Sequence, residues 1–294
     1  MQRKEFESYT LANGMEIPCV GYGTFPYKCE LLDAIPYAVE KGYSLIDTSD
    51  DYHNYYCVGS ATRDLKDTVI IEMKISWPFS PKNLRRQVFE GKKQLRIPQN
   101  NPIDILLIHF PYPYIYVDAW REMERLYKEG ECRAIGVCNF EVKHLEQLKK
   151  HCEIVPMIDQ FELHPLFQQK EICSYCQSNG IQVMAYSPVC RMNSKLIKNE
   201  KLVRIAIEHS KSVIQVIMRW NYQHGYIPIP ASSKPEHITA NVDIFDFELS
   251  DDDMTIIDKL DCGFRIRYNP NTMYSKKQRI KCFLYHWQYL LSKK

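Results

Sequence analysis

The chain has 294 residues and nowhere carries a run of about 18 apolar ones, so no membrane span is expected. It also lacks a charge excess. Lys+Arg number 38 against Asp+Glu 36, a net charge of +2, which gives no electrostatic reason to expect a nucleic acid or an anionic membrane as partner. The first ten residues, MQRKEFESYT, contain no apolar core of the kind a secretory signal needs. No low-complexity tract and no Pro/Gly/Ser linker interrupts the sequence. A single domain over residues 1–294 is therefore expected. The 11 cysteines are odd in number and irregularly scattered, and Cys152, Cys173 and Cys176 do not form a zinc framework with nearby histidines. Free thiols in a reducing cytoplasm, and no metal, are the expectation.

What the sequence has in quantity is short apolar runs alternating with amphipathic ones. The runs are CVGYG (19–23), SLIDT (44–48), VIIEMK (69–74), IDILLIHF (103–110), CRAIGVC (132–138), VPMIDQF (155–161), IQVMAYS (181–187) and YIPIP (226–230). Helical patterns lie between them. One starts at Ser80-Pro81, an N-cap followed by proline at the first helical position. Another puts Trp120, Met123, Leu126 and Tyr127 on one stripe before Gly130. Near-continuous apolar strands alternating with helices mean a parallel sheet covered by helices. About eight such units fit a (β/α)8 TIM barrel of the α/β class. A doubly wound sheet competes, but VGYGTFP lacks the third glycine of a dinucleotide-binding turn. Ahead of the first run, Asn13-Gly14 sits between apolar residues and predicts a type I′ hairpin capping one barrel end. At the other terminus Ile280, Phe283, Leu284, Trp287 and Leu291 recur at helical spacing with a basic polar face. That predicts a C-terminal helical tail packed on the barrel, in preference to one lying on a membrane.

In LIDTSDDYHN (45–54) a strand runs straight into three aspartates, a tyrosine and a histidine. Alone, this reads as a polar turn. Barrel active sites, however, gather at the C-terminal ends of the strands. Polar groups stand at that end of six runs: Asp47, Lys74, His109, Cys138-Asn139, Gln160 and Tyr186-Ser187. Six strands agreeing predicts that these groups converge. An ammonium at Lys74, oriented by Asp47, would stabilise the phenolate of Tyr52, and His109 would donate to a carbonyl oxygen. Such an acid–base set can protonate a developing alkoxide. The hydride it requires must come from a nicotinamide cofactor, because no side chain supplies one.

In order and spacing, LANGMEIPCVGYGTF, KGYSLIDTSDDYHN, IIEMK, IDILLIHFP, CRAIGVCNF, DQFELHP, VMAYSP and IPIPASSKPEHITAN resemble the aldo-keto reductases over nearly the whole chain. The resemblance implies an NAD(P)H-dependent oxidoreductase that reduces an aldehyde or ketone to an alcohol in a barrel without a dinucleotide-binding fold. The catalytic tetrad falls on Asp47, Tyr52, Lys74 and His109. Cofactor contacts fall on Thr24, Asp47, Cys138, Asn139, Gln160, Tyr186, Ser187, Pro188, Val189, Ser232, Ser233, Lys234, His237 and Asn241. The substrate pocket takes Phe25, Trp77 and His109. Tyr186 would stack on the nicotinamide, and Cys138 replaces the usual serine. Ala231 and His237 stand where the family often has Lys and Arg against the 2′-phosphate. NADPH is therefore expected with weak preference, NADH being usable. Aromatic residues in the pocket loops (Trp77, Phe79, Tyr112, Tyr114, Tyr116, Tyr268, Tyr274) suit either an apolar or ring-bearing substrate or the mere lining of a narrow tunnel. A small-molecule carbonyl is the expected partner, and a monomer or weak dimer the expected state. Some reductase-like barrels serve as structural or regulatory subunits, which leaves a binding role with little turnover as the alternative.

Overall fold

The eight apolar runs are strands because each is short, bounded by turn residues and buried on both faces. The computed structural model describes residues 7–65, 68–77 and 80–291. An N-terminal hairpin comprises β1 (Ser8–Thr10) and β2 (Glu16–Pro18). The barrel strands are β3 (Tyr22–Gly23), β4 (Leu45–Ser49), β5 (Ile70–Ile75), β6 (Ile103–Ile108), β7 (Cys132–Cys138), β8 (Ile158–Glu162), β9 (Gln182–Tyr186) and β10 (Ile227–Ile229). They pair in parallel in sequence order. Every residue of β4 and of β8 is buried, as expected of strands enclosed by helices outside and side chains inside.

The ring is completed between its first and last strands. Gly21 N–H donates to Pro228 O at 3.1 Å and Gly23 N–H to Pro230 O at 2.8 Å. Glycine is needed at this seam. A Cβ on Gly21 would lie 2.4 Å from Ile229 Cδ1, and one on Gly23 would press on two carbonyl oxygens at 3.3 Å. The fold is thus the expected (β/α)8 barrel.

Around it run α1 (Leu31–Glu40), α2 (Tyr55–Ala61), α3 (Pro81–Gln94), α4 (Tyr116–Lys128), α5 (Val142–His151), α6 (Lys170–Ser178), α7 (Ser194–Ile197), α8 (Glu200–Glu208), α9 (Val213–Gln223), α10 (Pro235–Val242), α11 (Asp251–Asp258) and α12 (Lys276–Leu291). The expected start of α3 is present: the Ser80 hydroxyl accepts from Asn83 N–H at 3.1 Å, with Pro81 in the first turn. Cys173 and Cys176, a CxxC pair on α6, are both buried, and all 11 cysteines are free. Burial raises both thiols, Cys173 to about 12, which suits core packing rather than metal or redox chemistry.

Two local expectations need correction. The hairpin turn is not type I′, which requires positive φ at both Asn13 and Gly14. Only Gly14 is left-handed, at φ 83°. Leu11 and Met15 close a three-residue loop, with Leu11 N–H to Met15 O at 2.9 Å and Gly14 N–H to Leu11 O at 2.8 Å. Asn13 instead donates to Arg133 O at 2.8 Å, tying the hairpin to the start of β7, the end opposite the site. The second correction concerns α12. The helix exists, but its apolar stripe does not pack on the barrel: Ile280, Phe283, Leu284, Trp287 and Leu291 are each about half exposed. Buried Cys282 and a 2.8 Å hydrogen bond between His286 Nδ1 and Asp118 Oδ2 hold the opposite face. Phe283 touches the barrel only edgewise, against Tyr114.

Candidate active site

Strand geometry decides which polar groups meet. Side chains two apart on a strand share a face, so the inward positions of β5 carry both Glu72 and Lys74, and those of β8 both Gln160 and Glu162. Lys74 Nζ is in direct contact with Asp47 Oδ1 from β4 and lies 3.5 Å from Glu72 Oε1. Gln160 ties the three together. Its Oε1 accepts from Lys74 at 3.2 Å, and its Nε2 donates to Asp47 at 3.2 Å and to Glu72 at 2.6 Å.

One buried ammonium faces two carboxylates, and they are not equivalent. Asp47 holds the contact, while Glu72 is fully buried with Oε2 unpartnered. Burial pushes the Glu72 carboxyl up to about 8 and pulls the Lys74 ammonium down. Glu72 is therefore the group that keeps its proton, leaving a neutral set of Asp47 carboxylate, Lys74 ammonium and Glu72 acid.

Tyr52 ends a 3-10 turn (Asp50–Tyr52) whose cap is Ser49 at the end of β4. Lys74 Nζ lies 5.2 Å from the Tyr52 ring centre, and the rings of His109 and Phe25 lie at 5.8 and 5.1 Å. The neighbouring tyrosines are otherwise engaged: Tyr55 donates to Lys74 O at 2.7 Å, and Tyr56 points to solvent. Burial drives the Tyr52 phenol well above its ordinary value, and the Arg267 charge opposes the rise.

His109 is held by two hydroxyls at Nδ1, Ser49 at 3.0 Å and Ser76 at 2.9 Å. Burial first, then Lys74 and Arg267, hold its imidazole well below the usual value, so it is neutral. Each hydroxyl can donate to Nδ1 or accept from it; a Ser76 hydroxyl that donates there would leave the ring proton on Nε2. Asp50, Asp51 and His109 offer three potential ligand atoms within 4.8 Å of one another, but Asp50 already accepts from Ser76 N–H at 3.0 Å with both oxygens.

These groups face a cavity of about 430 Å3. Asp47, Tyr52, His109 and Phe25 form one part of its wall, Asn139, Tyr186, Ser187, Pro188 and Val189 another, and it runs on to Ala231. Tyr186 OH donates to Asn139 Oδ1 at 2.6 Å, and Asn139 Nδ2 donates to His109 O at 3.0 Å, which fixes the Tyr186 ring. A cavity with a braced aromatic ring beside the acid–base groups and a helix N-terminus beyond its far end fits a nicotinamide dinucleotide.

Not every expected residue reaches the wall. Thr24, Cys138 and Gln160 lie behind it: Thr24 donates to Asp47 O at 2.8 Å, and the Gln160 amide is engaged by the buried charges. Ser232, Ser233, Lys234 and His237 lie past Ala231, around the start of α10, and Asn241 lies near the end of that helix. Ser232 Oγ accepts from Lys234 N–H at 3.1 Å, and Lys234 and His237 are exposed. Trp77 is not in the cavity; it packs on Tyr112 at 4.6 Å and Tyr274 at 5.7 Å. Tyr114, Tyr116 and Tyr268 are absent from the wall as well, so the aromatic loops do not line it as expected. Phe79 lies outside the described residues. Sequence reading missed Glu72, Glu162, Arg191 and Arg267. Alternation along IIEMK and DQFELHP exposes the first two; the arginines sit in loops without periodicity.

A family model described as the Aldo/keto reductase family matches residues 20–261. Glyoxal reductase of Bacillus subtilis (strain 168) is 42% identical over 272 residues, covering 91% of this chain and 97% of the relative. Methylglyoxal reductase DkgA of Escherichia coli (strain K12) is 35% identical, covering 89% and 96%. The crystal structure of a Gox0644 mutant in complex with NADPH superposes with a TM-score of 0.87 at 30% identity, covering 92% of this chain and 100% of that one.

Proposed function

The chain belongs to the aldo/keto reductase family and is an NAD(P)H-dependent carbonyl reductase, and we propose that it reduces small reactive aldehydes and α-dicarbonyls with Tyr52 as proton donor. The observation that carries this is the convergence of Tyr52, His109 and the Lys74–Asp47 pair on one end of the cavity. The relatives named for glyoxal and methylglyoxal support the substrate size.

The cofactor, when bound, supplies the hydride to the carbonyl carbon. Everything else falls to this chain's residues. His109, neutral, donates from Nε2 to the carbonyl oxygen and orients it. A phenol with a raised pKa stays protonated, so Tyr52 has a proton to deliver to the developing alkoxide. The Tyr52 phenolate then left behind is the moment at which Lys74 matters, as the nearest ammonium to the ring. Asp47 and Gln160 hold that ammonium in place. Asn139, Tyr186 and Ser187–Val189 would hold the nicotinamide end; Ser232, Ser233, Lys234, His237 and Asn241 would hold the adenosine phosphate end. We place the enzyme in the cytoplasm as a single-domain monomer or weak dimer. Its 11 free cysteines support that compartment, and no helix among the described residues is long and apolar enough to cross a membrane.

The test is Tyr52→Phe with methylglyoxal and NADPH. Loss of about two to four decades in kcat, with NADPH still quenching tryptophan fluorescence at near wild-type concentration, is expected for a removed proton donor. Near-normal turnover would sink the assignment.

A further inference from the structure

The cavity holds two cations that the reduction chemistry does not use. Arg191 follows β9 in a 3-10 turn, and Arg267 lies on the segment between α11 and α12; both line the wall. Their guanidinium carbons stand 5.6 and 5.4 Å from the Phe25 ring centre. Phe25 itself packs 5.1 Å from the Tyr52 ring, so a single aromatic side chain separates the arginines from the proton donor. The Arg267 charge is felt by both Tyr52 and His109.

Neither guanidinium has an ion-pair partner among the described residues. Glu162, the acid whose charge reaches Arg191, is committed elsewhere. Its Oε1 accepts from Ile266 N–H at 2.7 Å and its Oε2 from Arg267 N–H at 2.8 Å, and His164 Nε2 lies 3.1 Å from Oε1. That buried carboxylate anchors the backbone of Arg267, which fixes where the side chain begins. Two like charges thus share one partly desolvated wall without a counter-ion, an arrangement that an incoming anion would relieve.

Resting on the reductase reading, we propose that Arg267, with Arg191 beside it, binds an anionic group of the substrate, so that the preferred class is an aldehyde bearing a carboxylate. A guanidinium offers a planar pair of donors matched to both oxygens of a carboxylate. The Phe25 ring sets the spacing between that anion and the carbonyl held by Tyr52 and His109. The rival occupant is the cofactor's pyrophosphate, which Arg191 is better placed to meet because it follows the Ser187–Val189 wall directly. Arg267 comes from another segment and acts on the Tyr52 and His109 side.

The experiment compares 4-carboxybenzaldehyde with 4-carbamoylbenzaldehyde, which share a shape and differ in charge, in steady-state assays with NADPH. Wild type is expected to favour the carboxylate in kcat/KM by roughly 10- to 100-fold, the size of a charge-assisted hydrogen bond. Arg267→Met should bring the ratio close to one, and Arg267→Lys should restore part of it. NADPH affinity, followed by fluorescence quenching, should change far less than the ratio. A wild-type ratio near one, or a ratio that Arg267→Met leaves intact, overturns the proposal. So does an Arg267→Met protein whose NADPH binding weakens tenfold while the ratio stands, since Arg267 then belongs to the pyrophosphate. If neither these aldehydes nor methylglyoxal are reduced, the reductase reading fails, and this one with it.

Discussion

The two ends of the cofactor groove are built differently. At the chemical end Asp47, Glu72, Lys74 and Gln160 are buried and interlocked, each holding another at hydrogen-bond or contact distance. At the far end Ala231, Lys234, Glu236 and His237 are exposed, and Lys234 is the one lysine or arginine among them. The first end does not tolerate loss of one charge alone, because the Lys74 and Asp47 charges compensate each other in a low-dielectric site. The second can change its residues freely at little cost to folding, which is where cofactor choice can be altered without touching chemistry.

The largest effect should come from Lys74→Met. Removing the cation leaves Asp47 and Glu72 facing each other across Gln160, and breaking a buried pair in this way costs about 3–5 kcal/mol. Denaturant unfolding should show that loss, and kcat/KM should fall by two decades or more. Lys74→Met combined with Glu72→Gln should recover part of the stability and none of the activity. Equal stability of wild type and Lys74→Met would show that the chemical end is not interlocked at all.

At the far end, Ala231→Lys with His237→Arg should act on specificity alone. Each new charge-assisted hydrogen bond to the 2′-phosphate contributes about 1.5–3 kcal/mol, so with two of them the NADPH/NADH ratio of kcat/KM should rise by roughly two to four decades. Exposed Glu236 in the first turn of α10 would oppose a phosphate bound there. Wild type should therefore show weak NADPH preference or use both cofactors. A wild-type preference above about a thousandfold, unmoved by the double change, would mean that Lys234 and the helix N-terminus suffice.

The same contrast governs what could be read from the sequence. Asp47, Lys74 and His109 were legible because each interrupts an apolar run at its C-terminal end. Glu72 was hidden inside such a run, although its spacing of two from Lys74 places both in the barrel interior. Arg267 had no local signal, since what fixes it is Glu162, 105 residues earlier in the chain. The apolar stripe of α12 was legible as a stripe. Periodicity says that a helix has two faces, and here the face that packs is the one carrying Cys282 and His286.

The last expected effect isolates the extra carboxyl at the chemical end. Burial raises Glu72 from the ordinary carboxyl value of 4.5 to about 8 in the folded protein. The folded state therefore binds this proton more tightly than the unfolded chain does. Stability from it is fully present below the unfolded value and is lost as pH rises through about 8. Glu72→Gln replaces the protonated acid with a neutral group that can still accept from Gln160 Nε2. Wild type should thus lose melting temperature relative to Glu72→Gln as pH goes from 5 to 9, by roughly ten degrees, because three pH units are worth about 4 kcal/mol and each kcal/mol about 2–4 °C in a chain of this size. Thermal melts of both proteins across that range make the check. Parallel curves would mean that Glu72 is already ionised at pH 5, with Lys74 shared between two carboxylates and the neutral arrangement beneath Tyr52 wrong.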